Sequence, residues 1–275
     1  MEKIVVVSGS FDNIRSRDVR FMEEAARLGA LCVRLWSDAT VERLEGKPPK
    51  FPLEGRLYIL NAICYVSVVE VCPDETVEVD ALPCVSGIQP EVWVICEAEN
   101  NPSKRAYCET HGIEYVVIPE ARLREFPAWN PAVNHPARDR KRVIVTGCFD
   151  WLHSGHVRFF EEVSTLGELY VGVGHDANLR LLKGDGHPLF PEAERRYMVQ
   201  SIRYVKEAVI TTGNGWMDAE PEIRRLGIDA YAVNDDGDKP EKRAYCDSNG
   251  LEYVVLTRTP APGLPRREST ELRGF

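Results

Sequence analysis

Two histidines, His153 and His156, stand where an apolar run gives way to a helical pattern. Residues 143–146 read as a short strand ending in Gly147, and Val157, Phe159, Phe160 and Val163 recur as apolar positions of a helix beginning near Ser154. Spaced i, i+3, the two imidazoles can face one ligand. The helix entry adds unpaired backbone N–H groups and the positive end of the peptide dipole, so the chemistry favoured there is anion binding, of phosphate above all. Gly155 removes a side chain that would block a ligand's approach, and Ser154 is placed to cap the helix.

Such a turn needs a scaffold. Around it the pattern predicts strands at 143–146, 169–173, 208–211, 230–233 and 253–256. Helices are predicted at 155–165, 191–204, 219–226 and 239–249, with a loop around Lys183. Short, nearly all-apolar strands alternating with amphipathic helices imply an α/β fold, a parallel sheet with helices on both faces. Ligands of such sheets sit at the carboxyl ends of the strands where the strand order reverses. The histidine turn falls at that edge.

The chain repeats itself. Residues 104–117 return as 242–255 at an offset of 138, and the same offset lays Gly9, Ser10, Phe11 and Asp12 on Gly147, Cys148, Phe149 and Asp150. A repeat this long means tandem domains. Prolines around residues 127–140 interrupt regular structure, so the expected organisation is a first domain at 1–126, a proline-rich linker at 127–140 and a second domain at 141–275.

Composition bounds the function. A net charge of -9 argues against nucleic acid or a membrane surface as partner, since both call for broad basic faces. No apolar run reaches the roughly 18 residues of a membrane span and the start of the chain reads as a strand, so the expected location is cytoplasmic. The eight cysteines include no C-x-x-C pair, and no protein-held metal site is expected.

The histidine block resembles the H-x-G-H signature of the nucleotidyltransferases, in particular the cytidylyltransferases acting on phosphocholine, phosphoethanolamine and glycerol 3-phosphate. The resemblance extends to residues 182–185 and 194–205, to Asp235 and Asp236, to Arg258 and Thr259, and to Ser269 and Thr270. It implies two tandem Rossmann-like domains, the second transferring CMP from CTP to a phosphorylated small alcohol or amino alcohol, with Mg²⁺ carried on the triphosphate. By the same resemblance His153, His156, Lys183 and Arg195 would be catalytic. Gly147, Cys148, Phe149, Asp235, Asp236, Arg258, Thr259, Ser269 and Thr270 would bind the nucleotide. Asp150, Trp151 and Trp216 would meet the acceptor, Trp151 by cation–π contact with an amino-alcohol head group.

Two other readings stand beside it. Residues 176–185 and 238–241 resemble heptose-phosphate adenylyltransferases, which would use ATP and a sugar phosphate; alternatively, the chain is a nucleotide-binding regulator without turnover. The C-terminal block also departs from the cytidylyltransferase pattern. Residues 260–268, with three prolines, separate Arg258 and Thr259 from Ser269 and Thr270, which leaves open whether Arg258 and Thr259 or Arg266 and Arg267 reach phosphate.

The first copy lacks the chemistry. Arg15, Arg17 and Asp18 fill the places of His153, Gly155 and His156, Glu45 fills that of Lys183, and only Arg56 matches Arg195. A catalytically dead domain is expected there. By resemblance to the family's dimers it would form an internal pseudo-dimer with the second, a higher homo-oligomer being left open.

Overall fold

The computed structural model describes residues 2–74, 78–83, 87, 89–127, 140–269 and 272. The chain falls into two compact units, 1–126 and 127–275.

The first unit runs β1 (Ile4–Gly9), α1 (Ser16–Ala26), β2 (Ala30–Trp36), α2 (Asp38–Glu45), α3 (Leu53–Ala62), β3 (Val68–Cys72), β4 (Val92–Cys96), α4 (Pro102–His111), β5 (Glu114–Ile118) and α5 (Glu120–Leu123). The second runs β6 (Arg142–Gly147), α6 (Ser154–Ser164), β7 (Glu168–Val173), α7 (Asp176–Lys183), α8 (Glu192–Gln200), β8 (Val205–Ile210), α9 (Glu220–Leu226), β9 (Ala230–Asn234), α10 (Pro240–Asn249) and β10 (Glu252–Leu256).

Each unit carries one five-stranded sheet, ordered β3-β2-β1-β4-β5 in the first and β10-β9-β6-β7-β8 in the second, with every pairing parallel. The expected α/β class, two Rossmann-like units, holds. Val5, Val6 and Val7 of β1 and Val143, Ile144 and Val145 of β6 are fully buried, as central strands covered on both faces must be. The order reverses between β6 and its neighbours β7 and β9, and that reversal leaves a crevice at their carboxyl ends.

Two boundaries differ from the sequence reading. Residues 176–183 form a helix that the sequence pattern did not predict, so Lys183 ends a helix and begins the expected loop; His175 caps its N-terminus, its Nδ1 accepting the Asn178 N–H. Helix α8 stops at Gln200, because the chain turns through Ser201–Tyr204 so that β8 can pair with β7 from Val205. Tertiary pairing overrides a helical period here.

A buried guanidinium ties the crevice together in both units. Arg195, 1% exposed, donates from Nε to the Phe190 carbonyl, from Nη1 to the Cys148 carbonyl, and from Nη2 to the Gly174 carbonyl and the Asp176 carboxylate at 2.7 Å. In the first unit Arg56 bonds the carbonyls of Phe51, Ser10 and Trp36 and the carboxylate of Asp38. Arg195, expected to grip phosphate, thus directs four hydrogen bonds to the chain itself, as Arg56 does in the unit without the histidines.

Asp150 behaves likewise. Its carboxylate accepts the N–H groups of Leu189 and Phe190, as that of Asp12 accepts those of Lys50 and Phe51. Although it borders the crevice, it is engaged by the chain rather than held open for an acceptor. Replacing Arg56 or Arg195 by Met should each cost at least about 2 kcal/mol in urea denaturation, because several carbonyls lose their donors at once. A loss confined to Arg195 would contradict a shared scaffold role.

Candidate active site

The crevice of the second unit is walled by the β6–α6 turn on one side and the end of β9 on the other. Of the residues singled out from sequence, Gly147, Cys148, Phe149, Asp150, Trp151, His156, Lys183, Asp236, Arg258 and Ser269 come together on its wall. His153 and Arg195 lie outside that lining, as do Asp235, Thr259 and Trp216. Thr270 lies outside the described residues. The wall also includes Phe159, His187, Asn234 and Lys242, to which the sequence reading gave no role.

The turn is shaped by an aromatic ring. Phe149 takes a left-handed backbone, φ 51°, and its ring lies against Gly147, where a Cβ would stand 2.8 Å from it. That contact requires the glycine. The same ring meets His156 edge-on at 5.3 Å and Phe160 at 5.3 Å, so it serves as a shelf for the imidazole.

The two imidazoles stack at 4.0 Å, His156 toward the crevice and His153 behind it. His153, not Ser154, caps α6: its Nδ1 accepts the Gly155 N–H at 3.1 Å. In the neutral ring the proton therefore resides on Nε2; among the described residues this buried atom has no hydrogen-bond partner, and neither has the buried Nδ1 of His156, although the Trp151 backbone favours that ring's charged form. Unsatisfied buried polar atoms of this kind are uncommon and call for a ligand. Gly155 has a role beyond access, since a Cβ there would meet the His153 ring at 2.9 Å.

Electrostatics keep both rings neutral. Burial, assisted by the charges of Arg258 and Arg267, pushes His153 down to about 3. Burial likewise holds His156 well below its ordinary value, with His153, Arg258 and Lys183 adding to the effect. The surroundings are thus already positive. An arriving polyphosphate would meet cationic and donor groups with no competing anion bonded to either ring.

The proline-rich segment 260–268 closes back over the α6 entry. Arg258 donates to the Arg267 carbonyl at 2.9 Å, Leu264 N–H to the Ala261 carbonyl at 2.9 Å, and Ser269 Oγ to the Trp151 carbonyl at 3.4 Å. Arg258 also pairs with Asp236. Arg266 instead pairs with Glu268 at the surface, and the exposed Thr259 bonds the Thr257 carbonyl, so of these four residues Arg258 is the one on the wall. Trp151 packs on Phe190 at 5.7 Å. Trp216, expected at the acceptor, is 55% exposed beneath Lys239 and lies outside the crevice lining.

Magnesium finds no ready-made cage. Among the described residues no group of three His, Cys, Asp or Glu side chains could hold a metal ion, and Asp236 is already paired. At the matching point of the first unit, the Asp18 carboxylate accepts the Arg15 N–H at 2.8 Å, and Arg17 reaches across to pair with Glu120. That helix entry supplies its own anion.

Residues 144–257 match the protein-family model described as cytidylyltransferase-like. The second unit is a cytidylyltransferase-like domain of the nucleotidyltransferase superfamily. The chain is 42% identical over 74 residues to the bifunctional protein HldE of Nitratiruptor sp., which is 26% of this chain and 16% of that protein. It is 39% identical over 100 residues to the FAD synthase of Thermococcus kodakarensis, 36% of this chain and 65% of that enzyme. The chain thus spans about one-sixth of the length of the HldE it matches. Among solved structures, the lipopolysaccharide core biosynthesis protein from Thermoplasma volcanium aligns with a TM-score of 0.38 at 24% identity, covering 44% of this chain and 98% of that one.

Neutral histidines in the cytidylyltransferase-like unit have a consequence for stability. A free imidazole titrates near 6.5, so between that value and about 3 the unfolded chain binds the His153 proton while the fold does not. Its contribution is complete above about pH 6.5 and is lost as pH falls, by up to about 1.4 kcal/mol per pH unit. His153→Asn retains a capping side chain and should flatten that slope in urea denaturation between pH 7 and 5. Parallel slopes for variant and unaltered protein would contradict the burial of a neutral ring.

Proposed function

We propose that the second unit is an adenylyltransferase, joining the AMP moiety of ATP to a small phosphorylated sugar or alcohol. In this reaction a phosphate oxygen of the acceptor attacks the α-phosphorus, the bond to the β-phosphate oxygen breaks, and pyrophosphate leaves. The acceptor is already an anion near neutral pH, its second phosphate pKa being about 6, so no general base is obligatory. The protein's work is positioning and charge stabilisation.

One observation carries the reading: two stacked, neutral imidazoles with unpartnered buried nitrogens at the entry of α6. On this reading His153 Nε2 and His156 donate to the phosphate chain as charge builds on it. Lys183, exposed at the end of α7, is a mobile point charge bridging the two substrates. Arg258 exchanges Asp236 for a phosphate oxygen, and the Ser269 hydroxyl stands beside the turn. Mg²⁺ travels on the triphosphate.

For the base, likeness to an FAD synthase supports adenine, as does the resemblance of residues 176–185 and 238–241 to heptose-phosphate adenylyltransferases. The block 194–205, which leaned toward CTP, includes Arg195, and the scaffold role of that arginine takes weight from it. The first unit, with its own carboxylate at the corresponding entry, is non-catalytic on this reading.

Pyrophosphate release should therefore appear with ATP and a phosphorylated sugar or alcohol, and be at least tenfold slower with CTP. Turnover with CTP alone would restore the cytidylyl reading, and nucleotide binding without turnover on any acceptor would make the unit a sensor. His156→Ala should lower kcat by roughly 10²-fold with little change in nucleotide affinity. An unchanged kcat would take His156 out of the reaction.

A further inference from the structure

The wall of the crevice carries a cation that this reading does not use. Lys242, near the start of α10, is 8% exposed, and its ammonium lies 5.4 Å from the Tyr231 ring. A cation there opposes the helix dipole and is buried at a cost, and burial accordingly pushes its pKa down. Among the described residues the ammonium has no hydrogen-bond or ion-pair partner. The carboxylates around it are engaged elsewhere: Asp218 with Thr211 and Asn178, Asp238 with Arg243 and Tyr253, Asp236 with Arg258.

The internal repeat shows what is missing. Lys104 occupies the same place in the first unit, over the ring of Trp93 at 5.7 Å, and there it pairs with Glu99 at 3.6 Å. Position 99 corresponds to Gly237, in the same 3₁₀ turn after the equivalent strand and itself on the crevice wall. One unit fills the space beside its lysine with a carboxylate; the other leaves it to the crevice. From this we infer that Lys242 binds a phosphate group of a substrate, in the position where the first unit keeps the Glu99 carboxylate. The inference rests on the nucleotidyl-transfer reading and adds a binding residue to it.

The geometry allows the missing carboxylate to be put back. A Cβ at Gly237 would meet nothing closer than Val233 Cβ at 3.8 Å, so a side chain is accommodated there. Gly237→Glu should neutralise Lys242 and weaken anion binding, whereas Gly237→Gln, of equal size and no charge, should not. Lys242→Met should weaken binding by roughly 10- to 100-fold, the loss typical of a charge-assisted hydrogen bond, while leaving the melting temperature of the ligand-free protein unchanged or higher.

Calorimetric titration of the full chain and these three variants with ATP, inorganic tripolyphosphate and, separately, glycerol 3-phosphate tests the assignment. Loss of ATP and tripolyphosphate affinity in Lys242→Met and Gly237→Glu alone assigns the lysine to the nucleotide's phosphates; loss of glycerol 3-phosphate affinity alone assigns it to the acceptor. Unaltered affinity for all three in Lys242→Met, or equal losses from Glu and Gln at 237, overturns it while leaving nucleotidyl transfer standing. Failure of the unaltered protein to bind any of the three removes both readings.

Discussion

One buried guanidinium holds the crevice in shape. Arg195 draws the carbonyl of Cys148 after β6, that of Gly174 after β7 and that of Phe190 ahead of α8 to a single point, with Asp176 balancing its charge. Without it three loop segments would converge with their acceptors facing one another. Asp150, fastening the 189–190 backbone from the opposite direction, completes the brace. The left-handed Phe149 sits between these anchors and supports His156, so the position of the imidazole depends on the brace.

Because the first unit retains the whole brace, the two units separate architecture from chemistry within one chain. Arg56, Asp12 and the left-handed Phe11 repeat the scaffold. What differs is how each helix entry and each buried lysine finds its anion. The first unit supplies Asp18 and Glu99 from its own chain. The second presents His156 and Lys242 to a crevice, with His153 stacked behind His156, where the first unit has carboxylates.

Much of this was legible in the sequence. Apolar runs broken by amphipathic periods gave two parallel α/β units, and the offset of 138 aligned their turns. Other features were not legible there. An arginine at a helix start suits phosphate and backbone carbonyls equally, and only burial distinguishes them; the persistence of Arg56 in a unit without the histidines was the available clue. Helix α7 spans only eight residues, too short a stretch for its period to distinguish helix from loop. Trp216 resembled a pocket wall by type alone. Lys242 was visible as half of a repeated block, but the replacement of Glu99 by Gly237 acquires meaning only when the fold sets each beside its lysine.

On the proposed reading the second unit keeps two neutral imidazoles for a phosphate chain brought by a substrate. An NMR titration of the His153 and His156 ring signals, with and without ATP, tests it most directly. Without nucleotide both rings should remain neutral well below pH 6.5, and with ATP bound both should titrate at higher pH as phosphate oxygens accept their protons. Titration near 6.5 in both states, indifferent to ATP, would contradict the account.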